Sequence, residues 1–316
     1  MRCLQAGYEA GIQRPSPQVV LGISVAAVST AAILVRLAPT VPPVALAFWR
    51  TFLAGAILLP FWGVARLRPA PKLSVREGLL TLFAGTLLAA HFFAWFTSLH
   101  HTSVLRSTTL VCLTPIWAGV FETIFLRSPP KKVFWMGVSV SLVGVFTLTG
   151  GQMDGSLYGD LLAVLGGLLA AGYMVTGRSV RPRIAIGPYG AAVFGCSGLC
   201  LLIASGGSAA AVGELSMSDW SVIIAMTIGP QILGHLGLNH CLRDLSAATV
   251  STVVLLEPVG ATILAFFLFE ESPRSSEILG SILILMGVVL ATRDKSQSTT
   301  PTQRSNPPSP QASDDP

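Results

Sequence analysis

Two ionisable residues stand in strongly apolar surroundings and are the first candidates for chemistry. Glu257 follows the run Val253-Val254-Leu255-Leu256, and Arg50 follows Ala45–Trp49. A charged side chain is costly at the centre of a lipid bilayer, so it is normally functional or paired. Two roles fit Glu257: it binds a proton or a substrate amine, or it pairs with an arginine inside the membrane. Arg50 correspondingly suits a substrate carboxylate or a glutamate partner.

Polar and aromatic side chains recur at helical spacing in two further segments. Gln231, His235 and Asn239 are each four residues apart, which places them on one face of a helix. His91 and Trp95 have the same spacing and stand among three phenylalanines. An aromatic surface of this kind suits stacking against a planar ligand, and it also suits ordinary helix packing. We expect both faces to line a cavity.

Two prolines, Pro115 and Pro258, lie near the middles of apolar runs. A proline inside a helix removes one hydrogen-bond donor, here leaving the carbonyls of Val111 and Val254 without their usual partner. Within a bilayer such a carbonyl is tolerated only where it is buried in protein or lines a wet cavity. The sequence therefore predicts two bent helices around a central polar cavity. The alternative is that each proline makes a kink that serves helix packing and binds no ligand.

Two charged residues near the ends of apolar runs are expected to have structural roles. Glu122 is five residues from Arg127, and we expect the two to pair at the membrane boundary. Arg106, like Arg36, is expected to extend its charged end to the interface as an anchor.

The composition identifies the elements that position these residues. Of 316 residues only 11% are charged and 52% are apolar, whereas a soluble domain carries about 25% charged residues. Apolar runs of about 20 residues recur, each long enough to cross about 30 Å of hydrocarbon. This excludes a soluble enzyme, a nucleic-acid-binding protein and a disordered protein. The five cysteines have no metal-site spacing and no phosphate-binding loop occurs, so we expect no metal, no cofactor and no nucleic-acid partner.

The apolar runs predict an all-α integral membrane protein with ten transmembrane helices. The expected spans are residues 18–38, 43–65, 76–98, 103–126, 133–150, 157–177, 185–206, 220–241, 246–269 and 276–293. They form two five-helix units, 18–150 and 157–293, between a cytoplasmic N-terminal segment, 1–17, and a disordered cytoplasmic tail, 294–316. All Lys and Arg residues fall in segments facing one side except Arg36, Arg50, Arg106 and Arg274. The positive-inside rule then places both termini in the cytoplasm.

An internal repeat relates the two units. At an offset of 143 residues, Thr97–Thr149 aligns without a gap on His240–Thr292. The matched landmarks include Pro115 with Pro258, Pro130 with Pro273, Gly137 with Gly280 and Gly144 with Gly287. Five spans per repeat is an odd number, so the second repeat enters the membrane from the opposite side. Inverted repeats around a central cavity are characteristic of secondary transporters.

The chain resembles the drug/metabolite transporter superfamily, specifically its EamA-type ten-helix members, over about residues 18–293. The segments that carry the resemblance are Ala47–Arg50, Phe52–Ala54, Thr102-Ser103, Leu113–Pro115, Ser246–Ala248, Leu256–Val259 and Phe269–Glu271. The family usually also ends the fourth span with a glutamate, but this chain has Leu126-Arg127-Ser128 there. The resemblance implies export or exchange of small organic metabolites, amino acids among them, by alternating access.

We therefore expect a secondary transporter and not an enzyme, with an amino acid or related compound as the substrate and export as the direction. Its expected partners are the small-molecule substrate, the lipid bilayer, a proton carried by Glu257, and a second copy of the chain in a homodimer. Its expected location is the cell (plasma or inner) membrane. The alternatives are an integral-membrane enzyme acting on lipid and a non-transporting receptor or scaffold.

Overall fold

A computed structural model describes residues 15–66, 73–102, 104–148, 156–210, 215–270 and 272–293. The described residues form ten helices and no strand. Nine have the length and apolar character needed to span a membrane, and the remaining one has 17 residues. The predicted all-α membrane fold is thereby confirmed. Most of the N-terminal segment 1–17, residues 149 and 150, and the tail 294–316 lie outside the described residues.

The ten helices are labelled in chain order, with the letters a and b for the two parts of a broken helix. They are α1 (Pro17–Ser29 and Ala31–Arg36), α2 (Pro43–Arg66), α3 (Val75–Ser98), α4a (Val104–Val111), α4b (Thr114–Phe125), α5 (Lys132–Leu148), α6 (Leu157–Val180), α7 (Ile186–Ala204), α8 (Met217–Cys241), α9a (Ala247–Val254), α9b (Glu257–Phe269) and α10 (Ser275–Thr292). A short 3₁₀ turn at Ser208–Ala210 follows α7.

Serine caps begin several of these helices, because a serine oxygen accepts a hydrogen bond from an otherwise unpaired amide of the first turn. Ser74 and Glu77 form a reciprocal capping box at α3, and Ser156 caps α6. The outward faces are apolar: Leu79 is 63% exposed and Ile203 is 70% exposed. Such faces are suited to contact with lipid chains.

The contact between α5 and α10 shows how the two repeats are related. Ser141 donates a hydrogen bond to the carbonyl of Ile284 at 3.3 Å, and these residues are 143 positions apart. Gly144 lies against Gly280, and Gly137 lies against Gly287. Equivalent residues of the two repeats therefore meet across a pseudo-twofold axis, as inverted repeats require. Small residues allow the two backbones to approach closely.

The first helix of each repeat packs against the other repeat. Helix α1 lies against α8 and α9b, and α6 makes the equivalent contacts with α3 and both parts of α4. Helices α2 and α7 pack together across the same axis. The repeats are thus interlocked, and the space between them is enclosed by helices from both.

Helix breaks occur on several of the helices that face this space. The α-helix is interrupted at Cys112 and Leu113 before Pro115, and at Leu255 and Leu256 before Pro258. Helix α8 adopts a π-helical conformation over Thr227–Leu236, a stretch that contains Pro230. The π-helical stretch was not predicted, because its i→i+5 hydrogen bonds leave no distinct residue pattern.

Candidate functional site

A cavity lies between the two repeats, with a volume of about 100 Å³. Seven helices contribute to its wall: α1, α2, α3, α4, α6, α8 and α9. The predicted residues that line it are Arg50, His91, Trp95, Pro115, His235, Glu257 and Pro258.

Arg50 supplies the positive charge of the cavity and is held from behind by Gln231. Only 1% of Arg50 is exposed, and its Nε donates a hydrogen bond to Gln231 Oε1 at 2.7 Å. The guanidinium carbon lies 4.7 Å from the centre of the Phe92 ring, in cation–π contact. The hydrogen bond to Gln231 uses one of the five N–H donors of the guanidinium. Gln231 thereby orients Arg50 without itself lining the cavity.

Glu257 supplies a carboxyl group and stands at the N-terminus of α9b. It faces the same cavity as Arg50. Among the described residues, however, no N–O contact within 4.0 Å joins the two side chains. The cavity therefore presents a guanidinium and a carboxyl group without a direct ion pair between them.

Imidazole and indole rings form one wall of the cavity. His91 and Trp95 stack with ring centres 6.0 Å apart and planes 11° from parallel. His91 Nδ1 lies 2.9 Å from the carbonyl of Gly166. A carbonyl can only accept, so Nδ1 carries the proton, and Nε2 of the neutral ring is an acceptor. Phe92 meets His235 edge to face at 5.4 Å.

Two buried nitrogen atoms of this wall require a partner. Trp95 Nε1 and His235 Nδ1 are inaccessible, and neither has a hydrogen-bond partner among the residues that the structure describes. An unpaired buried polar atom carries a desolvation cost of roughly 1–3 kcal/mol. Both atoms therefore carry that cost in this conformation of the wall, in which the cavity does not reach them.

The two proline kinks differ at one equivalent position. In the first repeat Thr114 donates its hydroxyl to the carbonyl of Val111 at 2.7 Å, and it also lies 3.2 Å from the carbonyl of Gly167. In the second repeat, 143 residues later, Glu257 occupies the place of Thr114. An ionised carboxylate cannot donate a hydrogen bond. The carbonyl that the first proline leaves unpaired therefore has a hydroxyl donor within the protein. At the second kink an ionisable carboxyl group stands in the place of that donor.

Of the predicted polar face on α8, only His235 reaches the cavity. Gln231 lies behind Arg50, and Asn239 donates hydrogen bonds to the Tyr173 hydroxyl and, at 2.6 Å, to the His235 carbonyl. The π-helical conformation of α8 changes the angle between residues four apart, so they do not all point the same way. Asn239 instead supports Tyr173, which does line the cavity.

The lining residues that sequence reasoning missed include Tyr173, Met174 and Cys112. Tyr173 had a visible signal, because it directly follows the run of small and apolar residues Gly166–Gly172 on α6. Met174 and Cys112 had none, since apolar side chains at such positions equally suit packing.

One expectation at the end of a span was wrong. Glu122 is 2% exposed and its Oε1 accepts a hydrogen bond from the backbone N–H of Ala247 at 2.6 Å. It is bonded to the start of α9a and forms no ion pair with Arg127 among the described residues. Arg106 forms an ion pair with Asp160 at the start of α6, a partner that the sequence did not indicate. Both partners come from distant parts of the chain.

Comparison with known proteins gives consistent matches. A family model described as the EamA-like transporter family matches residues 18–150 and again residues 157–293. A protein of Clostridium kluyveri named "Uncharacterized transporter" is 25% identical over 207 residues, which cover 60% of this chain and 64% of that protein. "Uncharacterized transporter YyaM" of Bacillus subtilis is 23% identical over 264 residues, which cover 79% and 84%. A solved crystal structure has the same fold, with a TM-score of 0.73 at 18% identity, over 89% of this chain and 98% of that one.

Proposed function

The chain belongs to the EamA-like transporter family, and we propose that it is a secondary transporter that exports an amino acid or a closely related metabolite by alternating access. The observation that carries the proposal is a central cavity holding one cation and one carboxylate without a direct ion pair. An amino acid has the complementary pair, a carboxylate for Arg50 and an ammonium for Glu257.

The ring wall favours a substrate with a planar side chain. His91, Trp95 and Phe92 present ring surfaces to the cavity, and aromatic pairs contribute roughly 0.5–1.5 kcal/mol beyond the area that they bury. Amino acids with aromatic or imidazole side chains meet this requirement.

Energy coupling is assigned to Glu257. Its counterpart in the first repeat, Thr114, donates a hydrogen bond to the carbonyl that the proline leaves unpaired. A protonated Glu257 gains a donor and can make the equivalent bond to Val254, whereas an ionised Glu257 cannot. Proton binding would thus change the second kink and, with it, the affinity for a substrate ammonium.

The distribution of Lys and Arg supports the remaining parts of the proposal. Cations cluster in the segments that face one side of the ten-helix fold, and the positive-inside rule makes that side cytoplasmic. The protein would then lie in the cell membrane with both termini in the cytoplasm. Export means release at the opposite side.

The proposal is tested with purified protein in liposomes loaded with unlabelled amino acid. Uptake of labelled tryptophan, phenylalanine or histidine by exchange is measured, with aliphatic amino acids for comparison. Arg50→Gln should raise the half-saturation concentration by roughly tenfold to a hundredfold, because a hydrogen bond to a charged group contributes about 1.5–3 kcal/mol. Lys132→Gln, which removes an exposed cation at the start of α5, is the matched control and should behave as the unmodified protein.

The role of Glu257 is separated by a second measurement. Glu257→Gln should abolish accumulation driven by a pH gradient, since the proton site is lost. Exchange, which needs no net proton movement, should continue with a raised half-saturation concentration, because the substrate ammonium loses its carboxylate partner. Loss of both activities would assign Glu257 to amine binding alone. Absence of exchange with every amino acid, or an Arg50→Gln variant indistinguishable from Lys132→Gln, would overturn the proposed substrate class.

A further inference from the structure

The two ends of the cavity are closed to different degrees. At one end α4b packs against α9a. The segments equivalent to α4b and α9a in the opposite repeats are α9b and α4a, and these lie at the other end of the cavity. Over their described residues, α9b and α4a form no comparable contact. A molecule built from two equivalent repeats is thus seen in an asymmetric state. Exchanging the conformations of the repeats would separate α4b from α9a and bring α4a onto α9b.

One side chain joins α4b to α9a through a hydrogen bond between the repeats. Glu122 Oε1 accepts from the Ala247 N–H at 2.6 Å, and the Ala248 N–H and Ser246 hydroxyl face the same carboxylate. These groups form the N-terminus of α9a, where unpaired amides and the helix dipole favour a negative charge. Glu122 is 2% exposed, so water does not compete for the bond.

Two arginines near Glu122 fix the surrounding part of the second repeat, and one of them attracts Glu122. Arg178 on α6 attracts Glu122 and donates hydrogen bonds to the carbonyls of Leu242 at 3.0 Å and Arg243 at 2.7 Å. Just beyond α6, Arg181 donates to the Asn239 carbonyl at 2.9 Å. Burial lowers the pKa of Arg181 to about 10, so at neutral pH it remains charged and its hydrogen bonds remain charge-assisted.

No carboxylate occupies the equivalent position at the opposite end. The position 143 residues after Glu122 is Ala265, on α9b. The start of α4a is instead tied to α6 by the ion pair of Arg106 with Asp160, which does not join α4a to α9b. Only the closure between α4b and α9a therefore includes a charged cap among the described residues.

We propose that Glu122 is the latch of a gate formed by α4b and α9a. Its carboxylate holds α4b on the N-terminus of α9a and so biases the resting protein toward closure at this end. The carboxylate must detach before the cavity can open there. The inference rests on the proposed function, since a gate is meaningful only in a transport cycle. Glu122 acts on the position of two helices and is not part of the substrate site.

The test measures access to the cavity and requires no substrate. Ser251, on α9a one turn from Ala247, is 2% exposed and lines the cavity. In a variant whose five natural cysteines are replaced, Ser251→Cys provides a reporter for a membrane-impermeant maleimide applied to either side of vesicles. Glu122→Gln and Glu122→Ala should raise labelling from the Glu122 side roughly tenfold, the effect of about 1.4 kcal/mol on the open population.

Glu277→Gln is the matched control. Glu277 is a carboxylate at the start of α10 that accepts from the Arg274 N–H at 2.7 Å and so caps its own helix. This control should leave labelling unchanged. Equal labelling rates in the Glu122 and Glu277 variants would overturn the latch, whether or not the protein transports amino acids.

Ala247→Pro is a second variant that keeps Glu122 and removes the amide that it binds. Proline is favourable at the first position of a helix, and Ser246 already has the extended conformation, φ −68° and ψ 152°, that precedes a proline. Increased labelling in monodisperse Ala247→Pro protein supports the latch independently. Unchanged labelling in that protein contradicts it, which keeps the test decisive if Glu122 variants fail to fold.

Discussion

The close contact of α5 and α10 leads to a quantitative prediction for Gly144→Ala. A Cβ atom on Gly144 would lie 2.6 Å from the backbone nitrogen of Ile284 and 2.8 Å from the carbonyl oxygen of Gly280. The nearer distance is roughly 0.8 Å shorter than ordinary van der Waals contact. Both obstructing atoms belong to backbone, so no rotamer change can relieve them, and the two helices must separate.

We expect this separation to destabilise the protein by about 1–3 kcal/mol, the usual cost of an overpacked interior. Gly287→Ala should have the same effect by symmetry, because its Cβ would lie 2.5 Å from the carbonyl oxygen of Gly137. Trimming Ile284 to alanine should not rescue Gly144→Ala, since the nearest atom is the Ile284 backbone nitrogen.

The assay is reversible unfolding by sodium dodecyl sulfate in mixed micelles, followed by tryptophan fluorescence. Gly22→Ala on α1 is the control, since a Cβ there meets no atom within 4 Å. It should unfold at the same detergent fraction as the unmodified protein or at a higher one, because alanine favours helix by about 1 kcal/mol over glycine. If Gly144→Ala proves as stable as Gly22→Ala, the packing of α5 on α10 described here is incorrect.

Two further substitutions test the cavity wall. Gln231→Leu removes the acceptor that orients Arg50. We expect the half-saturation concentration for exchange to rise about tenfold, with folding intact by size-exclusion chromatography. Unchanged affinity would contradict this positioning role. Thr114→Val leaves the Val111 carbonyl without its hydroxyl donor and should lower the unfolding free energy by about 1–3 kcal/mol. Thr123→Val is the control, because Thr123 is exposed and its bond to a helical carbonyl is redundant; equal losses in the two valine variants would refute the reasoning.

Much of the architecture could be predicted because it depends on local chemistry. An apolar run long enough to cross the bilayer has to satisfy its backbone groups internally, so each run becomes a helix. Repeat-related landmarks such as Gly144 and Gly287 can be recognised in the sequence, and in the structure both lie where α5 crosses α10, Gly144 against Gly280 and Gly287 against Gly137. The breaks before Pro115 and Pro258 follow equally from a missing donor.

The partners of the charged residues could not be predicted in the same way. Arg50 meets Gln231 across 181 residues of sequence, and Glu122 meets Ala247 across 125. Both pairings depend on the way one repeat interlocks with the other. Glu122 illustrates the error that results, because Arg127 is its near neighbour in sequence yet the buried N-terminus of α9a offers it unpaired amides.

For this protein the sequence alone therefore determined the number of helices, the inverted repeat and the small set of charged residues placed among apolar ones. These follow from the cost of exposing backbone and charge to lipid, a cost that acts residue by residue. Only the tertiary structure decided that Arg50 and Glu257 face one cavity, that Gln231 stands behind the arginine, and that Glu122 joins the repeats at one end. Hydrogen bonds and ion contacts form over about 3–4 Å, and such distances between remote segments are set by the packing of the two halves.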